Sequence, residues 1–98
     1  MSVISEIAIF PLGHEHGLGT YVSRVVSMIE SSGYDYSLTA MGTIVETDTL
    51  AEALRIIESA YDILKPDANR VYCTAKFDIS KNGTKRMGQK VASASKQL

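Results

Sequence analysis

The stretch that most constrains this chain runs from Tyr34 to Thr49, YDYSLTAMGTIVETDT. Gly33, immediately before it, reads as a helix stop, because glycine takes the left-handed conformation that closes a helix. Thr49-Leu50-Ala51-Glu52 at its far end reads as a capping box that starts another helix. Only two short strands and a tight turn fit between. Alternation puts Tyr36, Leu38 and Ala40 on one side of the first strand and Ser37 and Thr39 on the other. Met41-Gly42 is the expected turn, and Thr43-Ile44-Val45-Glu46 returns as a β-branched run. A hairpin flanked by helices is the middle of a βαββαβ unit.

The flanks supply the rest of that unit. Val3 to Phe10 (VISEIAIF) is dense enough in apolar residues for a central strand buried on both faces, and Pro11 ends it. From Thr20 to Ser32, Val22, Val25, Val26 and Ile29 fall at helical spacing, with Leu18 one turn earlier. Leu50, Leu54, Ile57, Tyr61 and Leu64 predict one continuous face of the capped helix, which Pro66 terminates. Arg70 to Ile79 (RVYCTAKFDI) alternates strictly, with Val71, Cys73, Ala75, Phe77 and Ile79 toward the core. After the turn Ser80-Lys81-Asn82-Gly83, the positions Met87, Val91, Ala94 and Leu98 suggest a last amphipathic helix. The expected fold is α+β and ferredoxin-like: one antiparallel sheet with two helices on one face, plus a C-terminal helix, in a single domain spanning residues 1–98. Such a plan leaves the second sheet face open, lined by Tyr72, Thr74 and Lys76, for a ligand or a partner subunit to cover.

A net charge of −1 argues against generic attraction to nucleic acid or membrane. Apolar runs are too short to span a bilayer and no secretory leader is apparent, so a soluble cytoplasmic protein is expected. One cysteine excludes an internal disulfide. All 11 acidic residues lie between Glu6 and Asp78, whereas Lys81, Lys85, Arg86, Lys90 and Lys96 are half of the basic ones. The body is acidic and the tail basic, which suits either a solvated helix or a tail docked on a neighbouring acidic subunit.

Candidates for chemistry are few. His14-Glu15-His16 offers two imidazoles on a loop without a third or fourth metal ligand nearby in sequence, and a surface loop is the default. Cys73 falls on the core-facing side of its strand, which favours packing over nucleophilic chemistry. Glu46 and Asp78 stand at strand ends, where a carboxylate can hold an amine or a cation or, as a pair, do acid–base work. Tyr36 and Tyr72 could stack on a flat ring, with Met41 against it. The loop from Gly13 to Gly19 matches neither phosphate-binding pattern. RVYCTAKFDI lacks the glycine and paired aromatics of an RNA-reading strand. An acylphosphatase-like enzyme would want an arginine where His14 and His16 stand.

Three segments carry a resemblance: IFPLG at 9–13, YVSRVVSMIESSGYDYSLTAMGTIVE at 21–46 and RVYCTAKFDI at 70–79. They resemble the small thiamine-binding protein family, which includes the YkoF-type hydroxymethylpyrimidine/thiamine-binding proteins, and Met41-Gly42-Thr43 with Glu46 is the most specific element. The resemblance implies a ferredoxin-like fold, no catalytic activity, no cofactor, and assembly as dimers or tetramers through the sheets. It also implies a small-molecule ligand, thiamine or its pyrimidine moiety. Carried over residue by residue, Tyr36, Thr39, Met41, Thr43 and Glu46 become the pocket and Gly13 its rim. In that reading Glu46 binds the aminopyrimidine, Thr39 and Thr43 add hydrogen bonds, and Tyr36 and Met41 pack on the ring. The alternative, from another class, is a structural or regulatory assembly module that binds protein partners through its open sheet face and basic tail.

Overall fold

The computed structural model describes residues 1–13 and 17–98. Its elements follow the expected order: β1 (Ser2–Pro11), α1 (Leu18–Ser31), β2 (Asp35–Thr39), β3 (Gly42–Thr47), α2 (Leu50–Leu64), β4 (Val71–Ser80) and α3 (Arg86–Ser95). The four strands form one antiparallel sheet in the order β2-β3-β1-β4, the ferredoxin-like plan. Helices α1 and α2 pack against one face, over β1, β2 and β3.

Local chemistry accounts for the boundaries. Thr49 caps α2 through its side chain, which accepts from the Glu52 amide at 3.1 Å, while the Glu52 carboxylate accepts from the Thr49 amide at 3.0 Å. Glu52 also accepts the Tyr34 hydroxyl at 2.6 Å, which ties the hairpin entry to the helix start. Gly33 follows α1 at φ 84, as a helix stop requires. Pro11 closes β1 from inside the ladder, opposite Val71.

Three expectations need correction. The hairpin turn is Ala40-Met41, flanked by the pair Thr39↔Gly42, so Gly42 opens β3 instead of sitting in the turn. The seam that α2 buries is Ala53, Ile56, Ala60 and Leu64, while Leu54 and Tyr61 are 50% and 43% exposed. Two alanines let this face approach the sheet closely, so the larger residues of the neighbouring stripe point outward. Lastly, Cys73 shares the helix-side row of β4 as expected yet is exposed, because β4 is an edge strand that the helices barely reach. Partial desolvation still raises its thiol pKa, which keeps it protonated and unreactive near neutrality.

The core gathers Ile7, Val25, Ile29, Val45, Ile56, Ala60 and Leu64 between the helices and the centre of the sheet. Within this layer the fully buried Ser5 hydroxyl has no hydrogen-bond partner among the described residues. By contrast α3 buries no residue at all, and its Val91 is 68% exposed.

Candidate functional site

β1 and β3 differ in length, and the difference makes a cavity. β1 pairs with β4 through Pro11↔Val71, whereas its ladder with β3 stops at Ile7↔Thr43. Past that point the space beside β1 is bounded by the hairpin turn and by α1. The resulting cavity of about 350 Å³ is walled by Val22, Val25, Val26 and Ile29 of α1, by Ile7 and Ile9 of β1, and by the hairpin from Leu38 to Thr43. That volume is at the lower end of small-molecule sites, which span about 300–1,000 Å³.

Among the residues expected from sequence, Thr39, Met41 and Thr43 are brought together here. Thr43 is buried, and among the described residues its hydroxyl has no hydrogen-bond partner. Thr39 is locally occupied: its hydroxyl donates to the Gly42 carbonyl at 2.8 Å and accepts from the Met41 amide at 3.2 Å, which fixes the turn. Met41 stands at the mouth, 81% exposed. Gly42 lies so close to β1 that a Cβ on it would sit 2.8 Å from the Ile7 carbonyl oxygen.

The remaining expected residues are elsewhere. Tyr36 shares the helix-side face with Leu38 and packs against the core opposite Val45, outside the cavity lining. Tyr72 is on the opposite face against Phe10, with ring centroids 5.6 Å apart, so the two tyrosines cannot sandwich one ring. Gly13 follows β1 and leads into residues 14–16, and it does not line the cavity. The metal candidate His14-Glu15-His16 lies outside the described residues. Among the described residues no group of three His, Cys, Asp or Glu is placed to hold a metal, and no helix is long and apolar enough to cross a membrane.

Glu46 is also apart from the cavity, on the other sheet face and at the other end. It is three positions from Thr43 on one strand, and side chains alternate with a period of two, so the pair cannot share a face. Glu46 instead holds α3. Its Oε2 accepts from the Arg86 amide at 2.8 Å, its Oε1 from the Met87 amide at 3.0 Å, and the Ser2 hydroxyl donates to Oε2 as well. The Arg86 guanidinium donates to the Ser2 carbonyl at 2.8 Å, the Asp78 carbonyl at 2.9 Å and the Asp78 carboxylate at 3.1 Å. Lys90 pairs with the same Asp78 at 2.5 Å. Burial by itself would raise the Glu46 pKa, but the Ser2 hydroxyl, the two amides and the Arg86 charge outweigh it and leave it lowered. Asp78 is lowered by Lys90 and Arg86. Part of the basic tail therefore docks on the acidic body of its own chain.

Sequence reading missed two groups. The α1 valines were legible only as a core stripe; the signal that they roof a cavity was the excess length of the first strand over the hairpin strands. The role of Ser2 and Arg86 left no sequence signal, because their partners are 44 and 40 residues away.

A family model described as thiamine-binding protein matches residues 5–95. The chain is 33% identical over 98 residues to a UPF0045 protein of Mycobacterium bovis, covering 100% of this chain and 96% of that one. A UPF0045 protein of Methanothermobacter thermautotrophicus is 26% identical over 98 residues, 98% of this chain and 99% of that one. Among solved structures, a hypothetical protein of Methanocaldococcus jannaschii superposes with a TM-score of 0.85 at 26% identity over 96% of each chain. A Thermotoga maritima protein, whose name proposes a role in thiamine biosynthesis or salvage, superposes with a TM-score of 0.82 at 21% identity, over 96% of this chain and 99% of that one.

Proposed function

The chain belongs to the thiamine-binding protein family, and on that premise we propose that it is a non-catalytic binding protein for thiamine or its hydroxymethylpyrimidine moiety, held in the cavity beneath α1. The observation that carries this reading is an apolar slot lined by Thr43, whose hydroxyl has no hydrogen-bond partner among the described residues. A flat, mostly apolar ring with a few polar atoms matches such a lining. In this reading Thr43 hydrogen-bonds the ring, Met41 folds over it from the mouth, and Thr39 keeps the turn in shape. Tyr36 and Glu46 act indirectly, by holding the hairpin and α3, and Gly13 makes no contact in the cavity lining. No titratable side chain lines the cavity among the described residues, which supports binding without catalysis. The Thermotoga maritima protein's name supports the same ligand class.

The accompanying reading is a soluble, cytoplasmic homo-oligomer, dimer or tetramer, without nucleic-acid or membrane partners. Phe77 and Ile79 on edge strand β4, and Leu54 and Tyr61 on α2, are apolar side chains that an identical subunit would cover. A second reading, an assembly module for protein partners, draws on the unburied α3.

Titration calorimetry with thiamine and with hydroxymethylpyrimidine tests the first reading. Saturable binding is expected, weakened about three- to tenfold by Thr43→Val, which removes one hydrogen bond and keeps the shape. Glu46→Gln should leave affinity within about twofold, since it lies at the other end of the sheet. No saturable heat with either compound, from folded protein, overturns the reading in favour of the assembly module.

A further inference from the structure

We infer that the backbone N–H and C=O of Ile9 form the edge that recognises the ligand's 4-aminopyrimidine, taking the place of a missing residue of β3. The inference rests on the cavity reading above and says what gives it specificity.

Along an antiparallel strand, successive residues turn their N–H and C=O to alternate neighbours. The Leu12 amide donates to the Arg70 carbonyl at 2.9 Å, so the even-numbered residues of β1 face β4. Odd-numbered residues therefore face β3. The Ile7 carbonyl agrees, since it is the group that a Cβ on Gly42 would strike. Pro11 agrees too: its ring nitrogen, which has no hydrogen to donate, falls on the side away from β4 and costs the β4 ladder nothing. Ile9 has the same parity as Ile7 and Pro11. Its N–H and C=O thus point to where β3 has already ended, into the cavity, with no backbone partner on that side among the described residues.

A backbone amide that faces an apolar cavity with no chain partner favours a ligand that supplies one. A β3 residue in a hydrogen-bonded pair would offer one donor and one acceptor side by side. A 4-aminopyrimidine offers the same set: its amino group donates to the Ile9 carbonyl and the adjacent ring nitrogen accepts from the Ile9 amide. The ring then lies level with the sheet, under Val22 and Val26. A peptide strand is a poor alternative. Between Ile7, which β3 occupies, and Pro11, which cannot donate, the notch exposes a single donor–acceptor pair. That is enough for one ring edge and too little for a ladder.

The test follows the Ile9 amide by NMR and hydrogen exchange in the full chain, with 4-amino-5-hydroxymethyl-2-methylpyrimidine and its analogue lacking the amino group. The amino compound is expected to slow exchange of the Ile9 amide about tenfold or more and to bind about tenfold more tightly than the analogue. Ile9→Pro, which removes the N–H at a position where the β4 ladder does not use it, should weaken binding similarly. If Ile9→Pro does not fold, the exchange data and the analogue decide. Saturable shifts of the Val22 and Thr43 methyls with an unchanged Ile9 amide, and equal affinity for the analogue, would overturn the edge pairing and leave the cavity reading intact. No saturable shift anywhere in the cavity would sink both.

Discussion

Glu46 caps a helix that begins 40 residues later, at Arg86: the carboxylate accepts the Arg86 amide at 2.8 Å. Helix N-termini carry unsatisfied amides and a partial positive charge, and α3 has no side chain of its own to meet them. Lys85, just before it, is held at φ 53, a conformation a lysine adopts only under constraint. The strand that lines the cavity at one end thus anchors the tail at the other.

Replacing Glu46 by Ala should release that tail. Hydrogen bonds to a charged acceptor contribute about 1.5–3 kcal/mol, and the freed amides can turn to water, so a loss of about 2 kcal/mol is expected in urea unfolding. Amide exchange at Arg86 and Met87 should accelerate while exchange in α2 stays slow. An α3 that remains protected in this variant would mean that Arg86 and Asp78 suffice to hold it.

Acid should act on the same contact. The folded pKa of Glu46 lies below its ordinary 4.5, so its stabilisation is complete above that value and is lost as pH falls through the lower folded one. Asp78, also lowered, adds to the loss in a similar acid window. Stability should therefore be level above about pH 5 and fall below it, with α3 amides exchanging first. In Glu46→Gln the drop should be shallower, and an unchanged acid limb would place the effect on other carboxylates.

What could be read beforehand divides by range. The capping box at Thr49, the stop at Gly33 and the alternation of β4 are local, and each stands where residue spacing puts it. Spacing could not say which of two adjacent stripes α2 buries, because that depends on how near two alanines bring it to the sheet. That Thr43 and Glu46 part company was legible, since the period of two along β3 puts residues three positions apart on opposite faces. The cavity was half legible. Thr39, Met41 and Thr43 came from the hairpin, whereas the α1 roof and the exposed edge at Ile9 depend on the unequal lengths of paired strands.

Gly42 is where fold and cavity meet most tightly. Gly42→Ala would place a methyl 2.8 Å from the Ile7 carbonyl oxygen, a backbone atom that cannot swing aside. β3 must then move from β1, at a cost of about 1–3 kcal/mol. Because Ile7↔Thr43 is the last pair before the notch, the same shift should displace the Thr43 hydroxyl. Both a lower urea midpoint and weaker hydroxymethylpyrimidine binding are expected; a destabilised variant with unaltered affinity would show that the cavity does not depend on this contact.

Ser5 offers the opposite outcome, a gain. Its hydroxyl is fully buried on the helix side of β1, opposite Val45 and Phe77, and finds no partner among the described residues. Leaving a polar group unsatisfied in an apolar layer costs about 1–3 kcal/mol, and removing one oxygen leaves too small a void to cancel that gain. Ser5→Ala should therefore raise stability by about 1 kcal/mol, with hydroxymethylpyrimidine affinity unchanged because Ser5 does not line the cavity. A loss of stability would mean that the hydroxyl is satisfied in solution, by a buried water or by a rotated side chain reaching a β1 or β3 carbonyl.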